Sequence, residues 1–575
     1  MAIYQAANQI DDTIPIAGSG RTYFKFGEYD HSTVPLEKDE IPVMIIGSSM
    51  VGMFMGLLLG YHGIPSVSFD RHPSTAIHPR AALFLLRTVE ILRQLGLEDE
   101  FRKQSETMFD LDAGMLIVEK LYQGKVIARL QESDPAKVAS VTPSARLWLT
   151  QNMFEPLLRG EAKRFGSEQR FGQSILHYEE VEDGVIVVVQ DVETKLLKKY
   201  KVKYLIASDG NRSATREKED IHWKGPGVIS NSISINFKAD LTPYLGERAV
   251  HGTTYVNNPD VNAGFRLEQK GKAGFMIVTG AKGRETGFEP DSVSEKEARR
   301  FFKDASGIED DIDLEVSSIS YWSVAALCAD RFTSRKGRVF LMGDAAHVMP
   351  PTGGMGGNTG VADAYNLAWK LAFVLKGWSG PSLLKTYDLE RPKAAEFMMQ
   401  QAFARLVKRV LHGKGYECKE ELPDITCELG YRYTEGALER SPKESKEFQE
   451  VEDPYHPLVL PGSRMPHAVL QSSQNGGSVS TLDLIKQRLV LLAVDTNSPW
   501  LEAAKSQDIP MDAYVLNRDS APYSDPSGSV GSVLKLSEGE ALVVRPDGYI
   551  AWRADQTTEG HEEKLRRVLE SIFAR

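Results

Sequence analysis

The residues best suited to chemistry lie in one loop that is rich in glycine and proline. The sequence GDAAHVMPPTGGMGGN, residues 343–358, follows a short apolar strand and precedes a helix predicted to begin near Asn358. An acid at the end of a buried strand can hold a sugar hydroxyl, and a helix N-terminus presents backbone N–H groups to a ligand. Glycines let a flat ring lie against the backbone, and prolines stiffen its approach. The pattern predicts a ligand-binding loop rather than a structural turn.

A second motif, residues 47–52, reads GSSMVG and has the form GxSxxG. In the related GxGxxG turn, backbone N–H groups of a helix bind the pyrophosphate of a dinucleotide. Ser49 stands where the middle glycine normally lets the pyrophosphate come close. Asp70, 23 residues after Gly47, ends the next apolar run, at the place of the acid that binds a ribose hydroxyl. Taken alone, the motif also fits a glycine-rich helix in a core.

A third motif, Asp209-Gly210-x-x-Ser213-x-x-Arg216, follows the apolar run KYLIAS. An acid at this strand end can serve the same ligand. It can also cap a helix, since Ser213 and Thr215 suit a helix N-terminus as well.

These motifs need particular elements to position them. PVMIIG is predicted to be a buried strand, SMVGMFMGLLLGYHG a helix and IPSVSFD a second strand, which together form a βαβ unit. VEDGVIVVVQDVET predicts a hairpin around Asp183-Gly184. Residues 228–327 read mainly as strands, 360–377 as a helix and 400–450 as mostly helical. The strands RLVLLAVD and EALVVRPDGYIAWR precede a closing helix near 561–574.

Composition limits the partners of the chain. Its 575 residues predict two to four domains, and its formal charge of −11 argues against nucleic acid or an anionic membrane as the main partner. The three cysteines form no CxxC pair or disulfide framework. We therefore expect a reducing compartment, no metal site, no secretory signal and a cytoplasmic location.

A membrane span is the one alternative for residues 42–60, PVMIIGSSMVGMFMGLLLG. The run approaches the length of about 20 apolar residues that a span needs. It contains several glycines and serines, however, and the sequence has no second run of similar length. We therefore expect no membrane-spanning segment.

Together the motifs resemble the single-component flavoprotein aromatic hydroxylases, in the branch of the phenol and aromatic polyketide hydroxylases. The segment GRVFLMGDAAHVMPPTGGMGGNTGVADAYNLAWKLAFVL matches that family almost residue for residue, and the resemblance extends from about residue 40 to the end. It implies that NADPH or NADH reduces FAD, that O2 then forms a flavin C4a-hydroperoxide, and that a phenolic or aromatic polyketide substrate is hydroxylated.

The resemblance also implies which residues bind the adenine half of the cofactor. Residues 47–52 would face the FAD pyrophosphate, Asp70 the adenosine ribose and Arg71 the adenine end. Arg80 and Gln151 would contact the cofactor as well.

The flavin half is assigned in the same way. Asp209 would support the flavin and a nicotinamide path, Asp344 would hold the ribityl chain, and Pro351 would lie near the reactive edge of the ring. Gly357 and Asn358 would offer N–H groups to its pyrimidine side. The complete predicted cofactor set is Gly47, Ser48, Ser49, Met50, Val51, Gly52, Asp70, Arg71, Arg80, Gln151, Asp209, Asp344, Pro351, Gly354, Gly356, Gly357 and Asn358.

The sequence departs from the phenol hydroxylases at Ala82, where they carry an active-site aspartate. The base that activates the phenol is therefore absent, and the acidity of the substrate or another pocket group must replace it. This departure keeps Baeyer–Villiger oxidation or epoxidation of a polyketide open, and a flavin-binding protein without turnover is a third class. The candidate catalytic residues are Pro351, Arg266 and Tyr255, and the candidate substrate contacts are Asn236 and Trp322, each of which also fits an ordinary sheet position.

The expected fold class is α/β and α+β. A Rossmann-like FAD domain carries a mainly antiparallel substrate-binding sheet domain, and a thioredoxin-like C-terminal domain without cysteines is expected to serve packing or homodimer formation. The predicted boundaries are 1–39 for an N-terminal extension, 40–110, 150–220 and 331–400 for the FAD domain, 111–149 and 221–330 for the sheet domain, 401–454 for a helical connection and 455–575 for the C-terminal domain.

Overall fold

The computed structural model describes most of the chain. The described residues are 26, 30–38, 41–75, 83–111, 114–130, 134–246, 252–284, 287–289, 291–411, 415–441, 444, 449–474, 476–556 and 560–573. Arg80 and Ala82 lie outside these ranges, as does most of the predicted N-terminal extension.

The strands of the described residues are numbered in chain order. They are β1 (Ile41–Ile46), β2 (Ser66–Asp70), β3 (Leu83–Phe84), β4 (Met115–Val118), β5 (Val126–Leu130), β6 (Leu147–Trp148), β7 (Ser167–Phe171), β8 (Gln173–Val181), β9 (Gly184–Asp191), β10 (Leu197–Ala207), β11 (Trp223–Lys238), β12 (Thr253–Asn257), β13 (Val261–Glu268), β14 (Ala273–Ala281), β15 (Glu315–Ala329), β16 (Val339–Leu341), β17 (His347–Val348), β18 (Val469–Ser472), β19 (Ser478–Ser480), β20 (Leu489–Ala493), β21 (Met511–Val515), β22 (Tyr523–Ser524), β23 (Ala541–Val544) and β24 (Ile550–Ala554).

The α-helices of the same residues follow the same convention. They are α1 (Met50–Tyr61), α2 (Leu86–Gln94), α3 (Glu98–Glu106), α4 (Pro135–Ala139), α5 (Gln151–Arg164), α6 (Ala214–Lys218), α7 (Thr242–Leu245), α8 (Glu295–Ser306), α9 (Met355–Leu375), α10 (Lys385–Arg405), α11 (Asp424–Leu429), α12 (Pro499–Lys505), α13 (Ser529–Leu534) and α14 (His561–Ile572). Among the helices that the structure describes, none is both long and apolar enough to cross a membrane.

The first sheet has seven strands and carries the three sequence motifs. Its order is β7-β2-β1-β10-β9-β8, and β16 pairs with β10. β7, β2, β1, β10 and β16 run parallel to one another. β9 is antiparallel to β10, and β8 is in turn antiparallel to β9. β1 reads IPVMII and is largely buried, as the centre of a parallel sheet requires. Because the parallel strands end at one edge, the loops after β1, β2, β10 and β16 lie together there.

The second sheet has eight strands in the order β17-β15-β11-β14-β13-β12-β4-β5. Its pairs are antiparallel except for β12 with β4. One face is apolar and packs on α8, where Phe237, Phe265 and Phe302 form a cluster of edge-to-face rings. The other face carries polar residues.

Helix α8 interrupts a region that the sequence analysis describes as strands. Ser294 caps it, and Ser294 and Glu297 form a capping box. The sequence SEKEARRFFKDAS contains this signal, with apolar residues at helical spacing after it, so the helix is predictable in principle.

The prediction that residues 400–450 are mostly helical is wrong. α10 ends at Arg405, a π-helical turn covers Leu406–Val410, and α11 has only 6 residues. The charged residues of this region do not form a solvated helix face. Arg405 is buried and donates to the carbonyl oxygen of Leu422 at 2.9 Å, and Arg432 donates to that of Gln449 at 2.9 Å. Arginines thus satisfy the carbonyl groups of irregular backbone.

The C-terminal region contains the third sheet, whose order is β21-β20-β23-β24. β20 and β21 are parallel with α12 between them, and β23 and β24 are an antiparallel pair followed by α14. This is the thioredoxin-like topology. The predicted fold class is confirmed.

Buried ion pairs fasten the C-terminal region to the helices behind the first sheet. Glu390 on α10 accepts from Lys370 at 2.8 Å and from both terminal nitrogens of Arg545 at 2.8 Å, and Arg545 also pairs with Asp547. Burial opposes ionisation of Glu390, but Arg545 and Lys370 hold its pKa at about 2. Removing one partner of such a cluster leaves an uncompensated buried charge, so the two regions are held as one unit.

Candidate cofactor and substrate site

The turn after β1 requires glycine at two positions. Gly47 has φ +95°, and a Cβ there would lie 2.5 Å from the carbonyl oxygen of Ser208. At Gly52 a Cβ would lie 2.0 Å from the carbonyl oxygen of Gly47 and 2.8 Å from Ser208 Oγ. The end of β1, the start of α1 and the end of β10 are therefore packed backbone to backbone.

The two serines of this turn have different surroundings. Ser48 is buried, and its hydroxyl donates to Ser68 Oγ at 2.8 Å, so only its backbone can face a ligand. Ser49 is exposed at the N-cap of α1, with φ −87° and ψ −171°, and its side chain makes no capping hydrogen bond. This backbone conformation is open to any residue. The middle position of the motif therefore needs no glycine for backbone reasons, and a serine fits without strain.

Asp70 at the end of β2 supports the same turn. Its Oδ2 accepts from the N–H of Ser48 at 2.9 Å, and its Oδ1 accepts from the N–H of His72 at 2.9 Å. Burial works against its ionisation, but the hydrogen bonds from His72 and Ser48 prevail and hold the pKa of Asp70 below its ordinary value. The carboxylate is therefore charged and suited to accept from hydroxyl groups. Arg71 beside it is exposed.

Asp344 follows β16 and is the one exposed residue among buried neighbours from 341 to 347. The turn that carries it is held by Asp363 of α9, whose Oδ2 accepts from the N–H of Gly343 at 3.0 Å and lies 2.6 Å from His347 Nε2. Asp363 Oδ1 accepts from Arg391 Nε at 2.8 Å. Burial opposes ionisation of Asp363, but His347 and Arg391 lower its pKa.

Asp363 was missed by the sequence analysis. The signal for it is an acid within the apolar helix sequence GVADAYNLAWKLAF. Asp363 is completely buried, and a buried carboxylate in a helix needs a specific partner.

Helix α9 begins at Met355, three residues before its predicted start near Asn358. Its N-cap is Gly354, with φ +65°. Met355, Gly356 and Gly357 are the first three helical residues, whose N–H groups have no partner within a helix, whereas intrahelical bonding begins at Asn358. Gly357 is thus placed to offer an N–H group and Asn358 is not.

The side chain of Asn358 orders the neighbouring chain instead. Its Oδ1 accepts from the N–H of Leu85 at 2.9 Å and from Thr88 Oγ1 at 2.7 Å. Its Nδ2 donates to the carbonyl oxygens of Leu83 at 2.8 Å and Gly354 at 2.7 Å. Asn358 thereby joins the helix N-terminus to the segment that follows the predicted Arg80 contact.

The N-termini of α1 and α9 meet. A Cβ on Gly360 would lie 2.6 Å from Val51 Cγ2, and one on Gly357 would lie 3.2 Å from Met50 Sδ. Two helix N-termini side by side combine free N–H groups with the positive ends of two helix dipoles. The place between them is therefore suited to an anion, and Asp70 and Asp344 end neighbouring parts of the same sheet edge.

Asp209 after β10 adds an acceptor to this edge. Its Oδ2 accepts from the N–H of Thr215 at 3.1 Å and from Thr215 Oγ1 at 2.9 Å, as a helix cap does. Its Oδ1 is buried and has no hydrogen-bond partner within the described part of the chain. Burial raises the pKa of Asp209 although hydrogen bonds from Ser213 and Thr215 oppose this. A ligand hydroxyl or N–H group would satisfy the remaining oxygen.

Two further predicted cofactor contacts lie in the described residues. Gln151 is buried at the start of α5 and donates to Glu155 Oε1 at 2.5 Å. Pro351 is exposed in the loop between β17 and α9. Arg80, the remaining predicted contact, lies outside the described residues.

The four predicted pocket residues of the second sheet share one face. Ile233, Ile235 and Phe237 of β11 enter the apolar cluster on α8, so Asn236 between them points to the opposite face. Asn236 pairs with Phe275, which pairs with Arg266, and the three form a row across β11, β14 and β13.

Tyr255 and Trp322 belong to the same face. Tyr255 pairs with Gly264 of β13. Both rings pack on the apolar cluster that contains Met50 and Met355, the first residues of α1 and α9. This face of the second sheet and the two helix N-termini therefore border the same apolar cluster.

The contacts of these side chains differ. Arg266 donates from Nη2 to Thr253 Oγ1 at 2.9 Å, and its guanidinium lies 5.0 Å from the ring centroid of Trp148. Trp322 Nε1 donates to Ser234 Oγ at 3.0 Å, and Asn236 Nδ2 donates to Ser318 Oγ at 2.8 Å. The last two donors are engaged with neighbouring strands, whereas Arg266 is a buried cation on aromatic rings.

The fold and the glycine turn are those of a dinucleotide-binding protein that carries a second, mainly antiparallel sheet. Comparison with known proteins gives the family. The FAD binding domain family matches residues 40–402, and the aromatic-ring hydroxylase C-terminal domain family matches residues 456–575.

Relatives of similar length belong to the same class of enzyme. The 4-methyl-5-nitrocatechol 5-monooxygenase of a Burkholderia species is 37% identical over 560 residues, which cover 94% of this chain and 100% of the relative. The tetracenomycin B2 monooxygenase-dioxygenase of Streptomyces olivaceus is 33% identical over 558 residues, 94% of this chain and 100% of the relative. The crystal structure of aklavinone-11 hydroxylase with FAD and aklavinone superposes with a TM-score of 0.85 at 29% identity, over 94% of this chain and 100% of that one.

The chain belongs to the single-component FAD-dependent aromatic hydroxylases. It is a flavoprotein monooxygenase of aromatic substrates, FAD is its cofactor, and NADPH or NADH is the electron donor typical of this class. The residues present fit the cofactor, because Gly47 and Gly52 allow no side chain at the turn and Asp209 keeps a buried unsatisfied oxygen.

Proposed function

We propose that this monooxygenase hydroxylates a phenol that binds as its phenolate, with O2 as the oxygen source. The observation that carries the proposal is the buried guanidinium of Arg266 on the polar face of the second sheet. FAD, reduced by NADPH or NADH, supplies the activated oxygen when it is bound. The protein must position the substrate ring and favour its electron-rich form.

The charge of Arg266 favours an anionic substrate. Burial lowers its pKa to about 10, although Tyr255 and Glu268 oppose this shift, so the guanidinium is still charged at neutral pH. A charge removed from water attracts an opposite charge much more strongly than an exposed one does. Arg266 can therefore stabilise the phenolate form, which makes the ring more electron-rich without a carboxylate base.

Tyr255 is suited to orient the phenolate. Burial raises its pKa, although Arg409 and Arg266 oppose this, so its hydroxyl stays protonated and can donate a hydrogen bond. The hydroxyl and the guanidinium of Arg266 would then both point donors at one oxygen. Trp322 and Asn236, whose donors are already engaged, would form the walls of the pocket.

At the cofactor edge the proposed roles follow from position. Residues 47–52 and the N-terminus of α9 would hold the pyrophosphate and the flavin ring, Asp70 the adenosine ribose and Asp344 the ribityl chain. Pro351, exposed in the loop before α9, would lie at the reactive edge. These roles rest on the meeting of α1 and α9 and on the two carboxylates beside them.

The names of the relatives narrow the range of candidate substrates. One acts on a nitrocatechol, whose ring hydroxyl is acidic, and others act on aromatic polyketides. We therefore propose a nitrophenol, a nitrocatechol or a phenolic polyketide, each of which ionises more readily than simple phenol.

The test uses the FAD-loaded enzyme with NADPH and, separately, NADH. Phenols of graded acidity, nitrocatechols and phenolic polyketides are added in turn, while substrate-stimulated consumption of the electron donor is followed. Product from ¹⁸O2 is analysed by mass and by NMR connectivity. We expect a hydroxylated ring that carries one ¹⁸O, and higher kcat/KM for the more acidic phenols.

Variants of Arg266 separate the electrostatic role from a general defect. Arg266→Gln should raise KM and move the pH optimum up towards the pKa of the substrate, whereas Arg266→Lys should keep much of the wild-type profile. Equal activity of both variants on acidic phenols would contradict the proposed role of Arg266. A product with the new oxygen inserted between a carbonyl carbon and its ring neighbour would identify Baeyer–Villiger chemistry instead. If no aromatic compound stimulated consumption of NADPH or NADH, the protein would be a flavin-binding protein without turnover.

We also propose a cytoplasmic location and a homodimer. Cys328, Cys418 and Cys427 are free thiols in the structure, which fits a reducing compartment. The C-terminal region already packs on the rest of its own chain through Glu390 and Arg545, so a dimer would use its outer surface. Light scattering of the purified protein gives the oligomeric state directly.

A further inference from the structure

We propose that His31, His177 and Glu179 form a binding site for a divalent transition-metal ion at the outer edge of the first sheet. One nitrogen of each imidazole and one carboxylate oxygen lie within 4.8 Å of one another. Two imidazoles and a carboxylate are a ligand set that zinc uses with a fourth, open position. The site is independent of the flavin chemistry.

The backbone brings the three residues together. His177 and Glu179 are two residues apart on β8, the edge strand, so their side chains leave the strand on the same side. His31 comes from the segment 30–38 that precedes β1. This segment is held on β10, because the N–H of Glu37 donates to the carbonyl oxygen of Lys199 at 2.8 Å and Lys199 Nζ donates to that of His31 at 3.0 Å. The backbone that carries His31 is thus held in place by the protein itself.

His31 is poorly satisfied by the protein alone. Its Nδ1 is buried and has no hydrogen-bond partner among the residues that the structure describes. Its Nε2 lies 3.8 Å from Glu179 Oε2, which is too long for a hydrogen bond. The ring of His31 stands 5.3 Å from that of His177, centroid to centroid. Nε2 is therefore the His31 nitrogen that lies near Glu179, and it is the atom that a metal ion held by the two rings and this carboxylate would bind.

The three residues line an open cavity of about 400 Å³. Tyr178, Glu180, Lys218, Glu219 and Lys336 complete the lining. With neutral imidazoles the lining carries three carboxylates and two ammonium groups, so its formal charge is negative and favours a cation.

The charged neighbours of the ligands are themselves engaged. Lys218 Nζ lies 4.6 Å from the ring centroid of Tyr178, and burial lowers the pKa of Lys218 although Glu219 and Glu179 oppose this. Glu219 accepts from Tyr178 OH at 2.7 Å. Glu180 accepts from Ser334 Oγ at 2.8 Å. Glu179 is the most exposed of the carboxylates and is available to a metal.

Binding needs only side-chain movement. Ligands at 2.0–2.1 Å from a tetrahedral zinc lie about 3.4 Å apart, and the donor atoms lie within 4.8 Å of one another, so each pair must close by no more than about 1.4 Å. Glu179 is exposed and can rotate, and both histidines come from elements whose backbone is fixed. A bound ion would tie the segment 30–38 to β8, in addition to its contact with β10.

The test uses the full-length, tag-free, FAD-loaded protein, freed of metal with a chelator and then titrated with Zn²⁺ alone in a calorimeter. We expect one Zn²⁺ per chain from this site. His177→Ala and Glu179→Gln should each weaken it by more than the about 10–100-fold that loss of a supporting residue costs at metal sites. Because protons compete for imidazole nitrogens, binding should also weaken at acid pH.

The matched control is His222→Ala. His222 is exposed and lies 3.4 Å from the carboxylate of Asp220, so it is also a histidine beside an acid, but it does not belong to the proposed site. It should bind Zn²⁺ like the wild type. FAD absorbance of each variant reports that the fold is intact. Wild-type protein that binds no Zn²⁺, or binding that His177→Ala leaves unchanged, would overturn the proposal. Cleavage of the segment 30–38 by a protease should slow with Zn²⁺ in the wild type and not in His177→Ala.

Discussion

Replacing Gly52 by alanine places a methyl group against the turn that we propose to bind the FAD pyrophosphate. The new Cβ would lie 2.0 Å from the carbonyl oxygen of Gly47 and 2.8 Å from Ser208 Oγ. The first of these atoms is backbone, so the contact cannot be relieved by a rotamer change. Either α1 or the turn before it must move.

The size of the movement follows from the distance. Real Cβ atoms essentially never approach closer than 3.0 Å, so the contact must lengthen by at least about 1 Å. Overpacking of this kind costs about 1–3 kcal/mol of folding stability. The same shift would lengthen hydrogen bonds from α1 to a phosphate, and losing one bond to a charged acceptor costs about 1.5–3 kcal/mol, or about 10- to 150-fold in Kd.

The assay is a titration of FAD into the apoprotein, followed by the quenching of flavin fluorescence, with thermal unfolding measured in parallel. Gly60→Ala is the matched control. It lies in the last turn of the same helix, and its Cβ would lie 2.3 Å from the carbonyl oxygen of Phe165. Its stability should fall by a similar amount, whereas its Kd for FAD should change by no more than about twofold, or about 0.5 kcal/mol.

Two outcomes would refute this reasoning. Wild-type FAD affinity and unfolding temperature in Gly52→Ala would mean that the close backbone approach is absent. An equal loss of FAD affinity in Gly60→Ala would mean that the effect reports general destabilisation of α1 and not displacement of the turn.

Four further predictions concern other residues. Asp344→Ala should lose most of the bound FAD, which flavin absorbance of the purified protein measures; full retention would remove Asp344 from the site. Ser49→Gly should keep or tighten FAD binding in the fluorescence titration, because Ser49 makes no capping bond; abolished binding would show that the hydroxyl has a role. Asp363→Asn should lower stability by about 3–5 kcal/mol by leaving Arg391 unpaired. Since the pKa of Asp363 is lowered in the folded state, this difference should be complete above about pH 4 and be lost as the pH falls through the lowered value, as unfolding at a series of pH values would show. Replacing all three cysteines by serine should leave turnover intact, and lost turnover would reveal thiol chemistry.

Part of the fold and site is local in the chain, and that part is readable from the sequence. The strand, turn and helix from 41 to 61 lie where the apolar run and the glycines place them, because a buried parallel strand and a close helix each demand one kind of residue. The loop after β16 is also predictable from the sequence, since so many glycines and prolines together fit few structures other than a loop. The first residue of α9 is harder to predict from the sequence, because Gly354, Gly356 and Gly357 fit a loop and a helix N-terminus equally well.

Other features depend on partners that are distant in sequence. The interpretation of residues 400–450 as helical failed because their arginines bond to carbonyl groups of neighbouring chain, which no local pattern records. Asn358 was assigned to the cofactor through its backbone, but its side chain orders residues 83–88. Asp363 was missed because its partners, His347 and Arg391, lie on other elements.

The sequence by itself determined the FAD-binding motifs, the family and the class of reaction, because short glycine and acid patterns carry the geometry of a dinucleotide turn. Only the tertiary structure decided that α1 and α9 present their N-termini to one place, and that Arg266 and Tyr255 share the face of a sheet. It alone brings His31 to His177 and Glu179. The reason is physical: the proposed anion, substrate and metal sites depend on groups that converge in space, and the chain order of those residues does not specify which of them will meet.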